Sequence, residues 1–353
     1  MINVKVPGKL YIAGEYAVVT PGNKALITAV DSFIHVSIEP AKHFGTLYSE
    51  GLISEQVSWT RNKDQIYLED EQAFSYITRA IEVMESYVKE QGVDLSYFHL
   101  KIFNELGEKD GRKYGLGSSG AVVVAVIRGL AQFYQLQLSD LQVFKLAVIT
   151  SRGIEKKGSC GDIAASSFAR LIAYQTFDFD WLDKQLEADT ISQIVEDTWP
   201  LLDIQVLDFP KELHFLIGWT GKAASTPKLV SQVETAKDYE EHEQFLAKSK
   251  ACVESLIQAF ANEDIPAIFS QIETNRELLK GLQKHTSVEI ETPKLAKLIA
   301  IANKYSAAAK TSGAGGGDCG IAFIQKDKKI EKLLGEWEEE GIIPLPFSIY
   351  GGN

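Results

Sequence analysis

The hydrophobic and polar positions of the chain follow two periods, which predict a protein with both strands and helices. Alternating or continuously apolar runs predict strands at residues 2–6, 10–19, 26–36, 45–59, 96–103, 214–219, 321–324 and 342–349. Apolar positions three and four residues apart predict helices at residues 74–89, 140–150, 293–304 and 328–340, and helical spacing dominates residues 227–283. Pro7-Gly8 predicts a break between the first two strands. The helix at 328–340 is so rich in charge that we expect a solvated face there.

The most informative stretch is the sequence Tyr-Gly-Leu-Gly-Ser-Ser-Gly at residues 114–120, which precedes the apolar run 121–130. That run has no polar face for about two helical turns, so a helix of this composition must be buried with its N-terminus fixed inside the protein. Its unpaired N–H groups and the positive end of its dipole then point at glycines that let the backbone approach a ligand closely. This arrangement predicts a phosphate site. From this stretch alone, the alternative is a tight turn that leads into a core helix.

Three better-known phosphate loops do not account for these glycines. Gly115, Gly117 and Gly120 satisfy the dinucleotide fingerprint, but that fingerprint needs a buried strand directly before it, and residues 105–113 are polar. A Walker A loop requires a lysine where Ala121 stands. A protein-kinase glycine loop would be followed by His-Arg-Asp and Asp-Phe-Gly, and neither occurs in the chain. We therefore expect a phosphate loop of another family.

Bulk properties restrict the class of protein. At 353 residues the chain is long for one core, so two domains are expected. The net charge of −12 argues against nucleic acid or an anionic membrane as a partner, and any anionic substrate must then meet a local cluster of lysines and arginines. The chain has no signal-peptide core and no apolar run of membrane-spanning length. Three cysteines, and six histidines without metal spacing, predict a cytoplasmic protein without structural zinc.

Basic residues stand beside small-residue turns at three points in the chain. Lys9 follows Pro7-Gly8 between apolar segments, so its ammonium group either is solvated or projects into a cleft. Further along, three cations crowd a turn of small residues that leads to an aspartate: Arg152, Lys156, Lys157, Ser159, Gly161 and Asp162. Asp162 is either a helix cap or a carboxylate positioned beside a phosphate, and the basic residues favour the second. The loop 220–227 again combines glycine and hydroxyl groups with a lysine, Lys222.

A second glycine-rich segment occupies residues 310–320, with five glycines in its last eight residues. Ordering so many glycines costs conformational entropy, and a simple tight turn needs far fewer of them. We therefore interpret this segment as a functional loop whose backbone lies close to a ligand.

Together, the motifs at residues 7–15, 115–120 and 312–318 resemble those of the GHMP kinases in order and spacing, over nearly the whole chain. Two further stretches, 157–165 and 219–226, resemble the members of that family that phosphorylate phosphomevalonate. The resemblance implies an α+β protein with the two-domain GHMP-kinase fold. Its N-terminal domain is a β-rich α/β domain with an ATP site of the left-handed crossover type, and its C-terminal domain is ferredoxin-like. We expect the domains to be residues 1–190 and 191–353, with the crossing in the acidic, aromatic stretch 177–204 and the active site in the cleft between them.

The resemblance also assigns roles to individual residues. Lys9 and Asp162 match the family's active-site lysine and catalytic aspartate, and Ser118 or Ser119 offers a hydroxyl group to Mg²⁺. The loop that wraps the ATP phosphates would consist of Gly115, Leu116, Gly117, Ser118, Ser119 and Gly120. The residues that bind the acceptor would be Lys9, Arg152, Lys156, Ser159, Gly161, Lys222, Ser225, Gly313, Ala314 and Gly315. Related kinases carry a second metal-binding glutamate, and the corresponding region here offers Ser151 and Glu155.

The activity that the resemblance implies is transfer of the γ-phosphate of ATP to 5-phosphomevalonate, in the mevalonate pathway to isoprenoids. A phosphate monoester has a second pKa of about 6, so near pH 7 it is mostly dianionic and needs cations more than it needs a base. We therefore expect Asp162 to position the acceptor and the lysine rather than to serve as an obligatory base. The rival hypotheses are a sister kinase of an alcohol such as mevalonate, diphosphomevalonate decarboxylase, and a non-catalytic protein that binds ATP or a metabolite. The expected assembly is a monomer or a homodimer.

Overall fold

The protein consists of two β-sheets covered by helices. The structure, a computed structural model, describes residues 1–50, 55–62, 65–68, 74–107, 112–156, 158–236 and 238–351. Lys157 and residues 108–111, which belong to the predicted basic turn and to the predicted polar loop, lie outside the described residues.

The first sheet has eight strands. They are β1 (Ile2–Ala13), β2 (Lys24–Ala41), β3 (Gly45–Ser49), β4 (Val57–Asn62), β5 (Gln65–Leu68), β6 (Tyr97–Asn104), β7 (Leu171–Gln175) and β8 (Asp203–Leu207). Their order is β5-β4-β3-β6-β2-β7-β8, and β1 pairs antiparallel with β2. Pro7 and Gly8 do not break β1, because the strand continues through a register shift in which Pro7 pairs with Phe33 and Gly8 pairs with Val30. The break predicted there is therefore an irregularity within one strand.

Six α-helices precede the second sheet in the described part of the chain. They are α1 (Ser75–Glu90), α2 (Ser118–Phe133), α3 (Asp140–Arg152), α4 (Gly161–Phe168), α5 (Phe179–Ala188) and α6 (Ile191–Glu196). Helix α2 lies against β1 and β2 and is flanked by α1, α3 and α4. Ten of its sixteen residues are buried, which confirms the central helix predicted from its apolar run. Ser139 caps α3 in a capping box with Gln142.

The second sheet is antiparallel and has four strands, β9 (Leu213–Trp219), β10 (Ala308–Thr311), β11 (Cys319–Gln325) and β12 (Ile343–Leu345), in the order β10-β11-β9-β12. Its helices are α7 (Thr226–Ala236), α8 (Tyr239–Ala261), α9 (Ile265–Thr286), α10 (Pro293–Lys304) and α11 (Glu331–Glu339). This order of strands and helices is the ferredoxin-like arrangement that was predicted. Helix α11, predicted to have a solvated face, also has a buried side. Its Trp337 is fully buried and donates from Nε1 to the Leu298 carbonyl.

Apolar residues of the two sheets form one buried cluster. The chain also passes from the first sheet to the second further along the sequence than predicted. Strand β8 pairs with β7, so the first sheet extends to Leu207, beyond the expected boundary at residue 190. Apolar residues of both sheets, such as Phe98 and Phe323, belong to the same buried cluster. The end of the chain returns to the first sheet, where Ile349 bridges Val30 and the Tyr350 N–H donates to the Ala29 carbonyl.

Three predicted strands differ in extent from those observed. The strand expected at 10–19 ends at Ala13 and is followed by a 3-10 turn at Ala17–Val19. The strand expected at 45–59 is divided between β3 and β4, and the one expected at 342–349 is confined to β12 and the Ile349 bridge. None of the helices in the described part of the chain combines the length and apolar character that crossing a membrane requires.

Candidate active site

The first glycine loop lies between β1 and α2. The Lys9 N–H donates to the Leu116 carbonyl at 2.9 Å, which fixes the loop against the strand. Gly115 and Gly117 have φ angles of 83° and 75°, and Gly117 is the N-cap of α2. Because a helix leaves its first N–H groups without acceptors of its own, the N-terminus of this buried helix is directed at the loop. The geometry is that of an anion-binding site.

Lys9 and Asp162 both lie close to Gly117. The Lys9 ammonium group donates to the Gly115 carbonyl at 3.2 Å and lies 5.4 Å from the centre of the Tyr11 ring. A Cβ atom placed on Gly117 would be 2.8 Å from Lys9 Cε and 3.4 Å from Asp162 Cβ. One placed on Gly120 would be 2.9 Å from Asp162 Oδ2. The loop therefore has room for the lysine and the aspartate only because glycines stand at these positions.

Asp162 is in the first turn of α4 but does not cap it. The N-cap is Cys160, whose φ of 60° is left-handed and whose side chain makes no capping bond. The carboxylate shares its surroundings with Glu155, since burial first and then the charges of Glu155 and Asp162 raise the pKa of the nearby Tyr76 phenol. The charges of both carboxylates thus act on the same tyrosine.

Ser159, three residues before Asp162, is bonded to two tyrosines, the half-buried Tyr11 and the fully buried Tyr174. The hydroxyl groups of Tyr11 and Ser159 are 2.9 Å apart, and the Gly161 N–H donates to Ser159 Oγ at 3.2 Å. The Tyr174 hydroxyl group donates to the Ser159 carbonyl at 2.6 Å. Burial, followed by the charge of Asp162, raises the pKa of Tyr11, so its phenol stays protonated at neutral pH.

The second glycine loop, residues 312–318, is fastened to the start of the chain. Ser312 Oγ donates to the Tyr11 carbonyl at 2.8 Å, and the Tyr16 hydroxyl group donates to the Ala314 carbonyl at 2.6 Å. Gly315, with φ of 72°, packs so closely on the Ile290 carbonyl that a side chain would not fit. The two glycine loops, which are almost 200 residues apart in the chain, are thereby brought to one place.

Asp318 joins both glycine loops to the loop 220–226. Its N–H donates to the Lys222 carbonyl at 2.7 Å, and its Oδ1 accepts from the Ala224 N–H at 2.9 Å. Its carboxylate lies against Gly115, where an added Cβ atom would be 2.5 Å from Asp318 Cγ. Burial raises the pKa of this carboxyl above its ordinary value, against the opposing effects of the Ala224 hydrogen bond and the charge of Lys9.

The cations at 152–156 have a different partner. The buried Arg152 guanidinium group makes a two-pronged ion pair with Asp183 on α5, and its Nη1 donates to the Lys156 carbonyl. The exposed Lys156 ammonium group lies 3.3 Å from the same carboxylate. The basic crowding in the sequence thus anchors α5, and the structure does not join these two residues to the glycine loops. Lys222 and Ser225 are exposed on the loop that Asp318 holds.

Sequence reasoning did not assign three residues that the structure places in this site. Tyr11 lies in the first motif, Tyr16 directly follows that motif, and Asp318 is the last residue of the third. The available signal was their position in, or next to, motifs already interpreted as functional. Their partners, Ser159, Ala314 and Ala224, are each about 100 residues or more away, and no local pattern pairs them.

Comparison with known proteins gives two family matches. The family model described as GHMP kinases N terminal domain matches residues 75–170, and the one described as GHMP kinases C terminal matches residues 256–343. The phosphomevalonate kinase of Streptomyces sp. strain CL190 is 35% identical over 97% of this chain and 95% of its own. A mevalonate kinase of Methanocaldococcus jannaschii is 25% identical over 96% of each chain.

Solved structures agree with these matches. The phosphomevalonate kinase of Streptococcus pneumoniae, solved in complex with phosphomevalonate and AMPPNP, superimposes with a TM-score of 0.88 at 33% identity, over 99% of this chain and 100% of that one. A Lin0012 protein from Listeria innocua superimposes with a TM-score of 0.93 at 38% identity, over 98% and 97% of the two chains.

Proposed function

This chain belongs to the GHMP kinase family, and on that premise we propose that it is a phosphomevalonate kinase. It transfers the γ-phosphate of ATP to (R)-5-phosphomevalonate and releases ADP and 5-diphosphomevalonate. The observation that carries the proposal is the meeting of Gly115, Lys9 and Asp318 at one point, where two glycine loops approach a single lysine.

The geometry supports one role for the first glycine loop and another for the loops 220–226 and 312–315. The N-terminus of α2 and the loop 115–120 bind the ATP phosphates through backbone N–H groups. The loops 220–226 and 312–315 face the acceptor, and they include Lys222, Ser225 and Ala314. Lys9 lies where the two phosphates meet and offsets the charge that develops as the γ-phosphoryl group moves.

In the transfer step, an oxygen of the acceptor phosphate forms a bond to the γ-phosphorus while the bond from that phosphorus to the β,γ-bridging oxygen breaks. Because the acceptor phosphate has already lost its protons near neutral pH, no group has to remove one as it attacks. Asp162, which lies beside Gly120 and, like Lys9, close to Gly117, then serves to orient these groups.

The residues present fit a magnesium ion. Mg²⁺ is commonly held by one or two carboxylates together with substrate phosphates, so a dedicated cage of side chains is not required. Within the described ranges no group of three or more acidic, histidine or cysteine side chains could hold a metal by itself, which suits that mode of binding. Asp162 and the hydroxyl groups of Ser118 and Ser119 would hold the ion, with Glu155 as a second carboxylate. When bound, the ion neutralises charge on the ATP phosphates.

The proposal also covers the cellular location of the enzyme, the kinds of molecule that it binds and its assembly. All three cysteines are free thiols, and the net charge is −12. Both features support a cytoplasmic enzyme of small anionic metabolites that binds neither nucleic acid nor membranes. The assembly we propose is a monomer or a homodimer.

One assay separates this function from its rivals. ADP release from MgATP is measured with 5-phosphomevalonate and, separately, with mevalonate as the acceptor. We expect turnover with 5-phosphomevalonate and a far smaller rate with mevalonate. The reverse preference would assign the chain to the kinases of alcohols, and no ADP release with either acceptor would contradict a catalytic role.

A further inference from the structure

We propose that Asp318 is a positioning residue for the phosphate acceptor. The inference rests on the proposed function and adds to it a residue that acts through a loop rather than by touching a reacting atom.

Asp318 holds the loop 220–226 at three points. Its N–H donates to the Lys222 carbonyl at 2.7 Å, its carbonyl accepts from the Thr220 N–H at 2.9 Å, and its Oδ1 accepts from the Ala224 N–H at 2.9 Å. The first two bonds involve only backbone, so any residue would make them. The third needs a side-chain oxygen, and it fixes the residue directly before Ser225.

The backbone of Asp318 is in a conformation that a glycine would adopt more easily. Its φ is 44°, and it directly follows three glycines with φ of 72°, 73° and 149°. Left-handed conformations are unfavourable for residues with a side chain, although aspartate adopts them more readily than most. The presence of a side chain here, at the end of a run of glycines, therefore indicates that the carboxylate is used.

The same carboxylate reaches the ATP side of the cleft. It packs on Gly115, whose carbonyl accepts from the Lys9 ammonium group, and this approach is possible because Gly115 has no side chain. Asp318 therefore sets the distance between the loop 220–226 and the first glycine loop. Without the Ala224 bond, Ala224 and Ser225 would lose their fixed position relative to Lys9, and only the two backbone bonds at Thr220 and Lys222 would still hold the loop.

The experiment compares Asp318→Ala with Asp318→Asn, which retains an acceptor oxygen for the Ala224 N–H. The matched control is Asp31→Ala, because the Asp31 carboxylate also accepts a backbone N–H from a distant segment, that of Ser348, at 2.6 Å. ADP release is measured with 5-phosphomevalonate varied at saturating ATP and with ATP varied at saturating 5-phosphomevalonate.

We expect Asp318→Ala to raise the KM for 5-phosphomevalonate about tenfold while the KM for ATP changes less than about threefold. Asp318→Asn and Asp31→Ala should keep both values within about threefold of the wild type. An equal rise of both KM values, an acceptor KM that does not rise, or an asparagine variant as impaired as the alanine variant would overturn the proposal.

A second measurement does not depend on activity. Lys222 is exposed, so trypsin cleavage after it, followed by mass spectrometry, reports how firmly the loop is held. Asp318→Ala should accelerate this cleavage and Asp318→Asn should not; equal rates in all variants would contradict the role. If the alanine variant does not fold, Asp318→Gly, which suits φ of 44°, replaces it in both tests. Failure of the proposed function appears already in the wild type, whereas failure of this inference appears only in the variants.

Discussion

Lys310 and Glu15 form an ion pair in the interior of the protein. The Lys310 ammonium group lies 2.5 Å from Glu15 Oε1, and the two side chains are 0% and 2% exposed. Lys310 is on β10 of the second sheet, and Glu15 follows β1 of the first. The pair thus joins the two sheets directly beneath the second glycine loop, where the Tyr16 hydroxyl group makes the next contact along the chain.

Breaking this pair should destabilise the fold. Lys310→Met leaves the Glu15 charge buried without a counter-ion, so we expect a loss of about 3–5 kcal/mol in the free energy of unfolding. The double variant Glu15→Leu with Lys310→Met should recover most of that loss, because no lone charge remains. Lys24→Met, which breaks the more exposed Lys24–Asp203 pair, is the control and should cost less than about 1 kcal/mol. Urea unfolding measures all three, and equal losses for Lys310→Met and Lys24→Met would contradict the argument.

Lys9→Ala should reduce turnover and leave nucleotide binding nearly intact. In the proposed mechanism the ammonium group acts on charge that develops during transfer, so kcat should fall at least about a hundredfold. Titration with AMPPNP should give a dissociation constant within about threefold of the wild type, because the N–H groups of the glycine loop remain. Lys156→Ala removes an exposed ammonium group paired with Asp183 and should leave kcat unchanged. Turnover like that of the wild type in Lys9→Ala would remove Lys9 from the chemistry.

The pH profile of Asp162→Asn tests whether Asp162 orients groups or removes a proton. We expect kcat/KM of the wild type to rise through about pH 6, where the acceptor phosphate becomes a dianion. The asparagine variant should be slower but should keep the same midpoint, since the ionising group belongs to the acceptor. An acidic limb that is present in the wild type and missing from the variant would instead identify Asp162 as a general base.

Arg152→Met should affect stability more than acceptor binding. The guanidinium group is committed to Asp183 and packs over the Phe179 ring at 4.7 Å. We expect a loss of about 2 kcal/mol in the free energy of unfolding, and a similar loss in Asp183→Asn, while the KM for 5-phosphomevalonate stays within about threefold. A raised acceptor KM with unchanged stability would show that Arg152 leaves Asp183 to bind the substrate.

Two helical glycines provide a matched pair of substitutions. A Cβ atom on Gly120 of α2 would be 2.9 Å from Asp162 Oδ2, whereas one on Gly281 of α9 would meet nothing within 4 Å. Gly281→Ala should raise the free energy of unfolding by about 0.5–1 kcal/mol and leave kcat unchanged. Gly120→Ala should displace the carboxylate and lower kcat by about tenfold or more. Equal kinetics in the two variants would contradict the role given to Asp162.

Local patterns in the sequence predicted much of the fold. The apolar run of α2 and the helical spacing of apolar residues in α3 and α10 are signals within a few neighbouring residues, and each predicted an element that the structure contains. The α+β class and the GHMP-kinase fold are likewise confirmed. The predicted boundary at residue 190 put β8 in the second domain, whereas the strand belongs to the first sheet. A five-residue strand at the edge of a sheet has too short a pattern to show which sheet it joins.

The site was less predictable because its contacts join distant segments. Glycines mark places where a backbone approaches a neighbour, and so Gly115, Gly117 and Gly315 could be singled out without knowledge of the neighbour. The pairing of Arg152 with Asp183 could not be predicted from the sequence. A cation near a small-residue turn has the same local sequence whether it binds a phosphate or a carboxylate. Asp318 was visible as part of a motif, but its bond to Ala224 depends on how β9 and β11 align.

The return of residues 348–350 to the first sheet bears on how the protein can be divided. Ile349 bridges Val30, and Ser348 and Tyr350 bond to the neighbouring residues Asp31 and Ala29. A recombinant fragment that stops after Leu207 would therefore lack residues 348–350, which bond to Ala29, Val30 and Asp31, and the part of the common buried cluster that residues 213–345 supply. We therefore expect two fragments divided after Leu207 to acquire their native packing only after they associate.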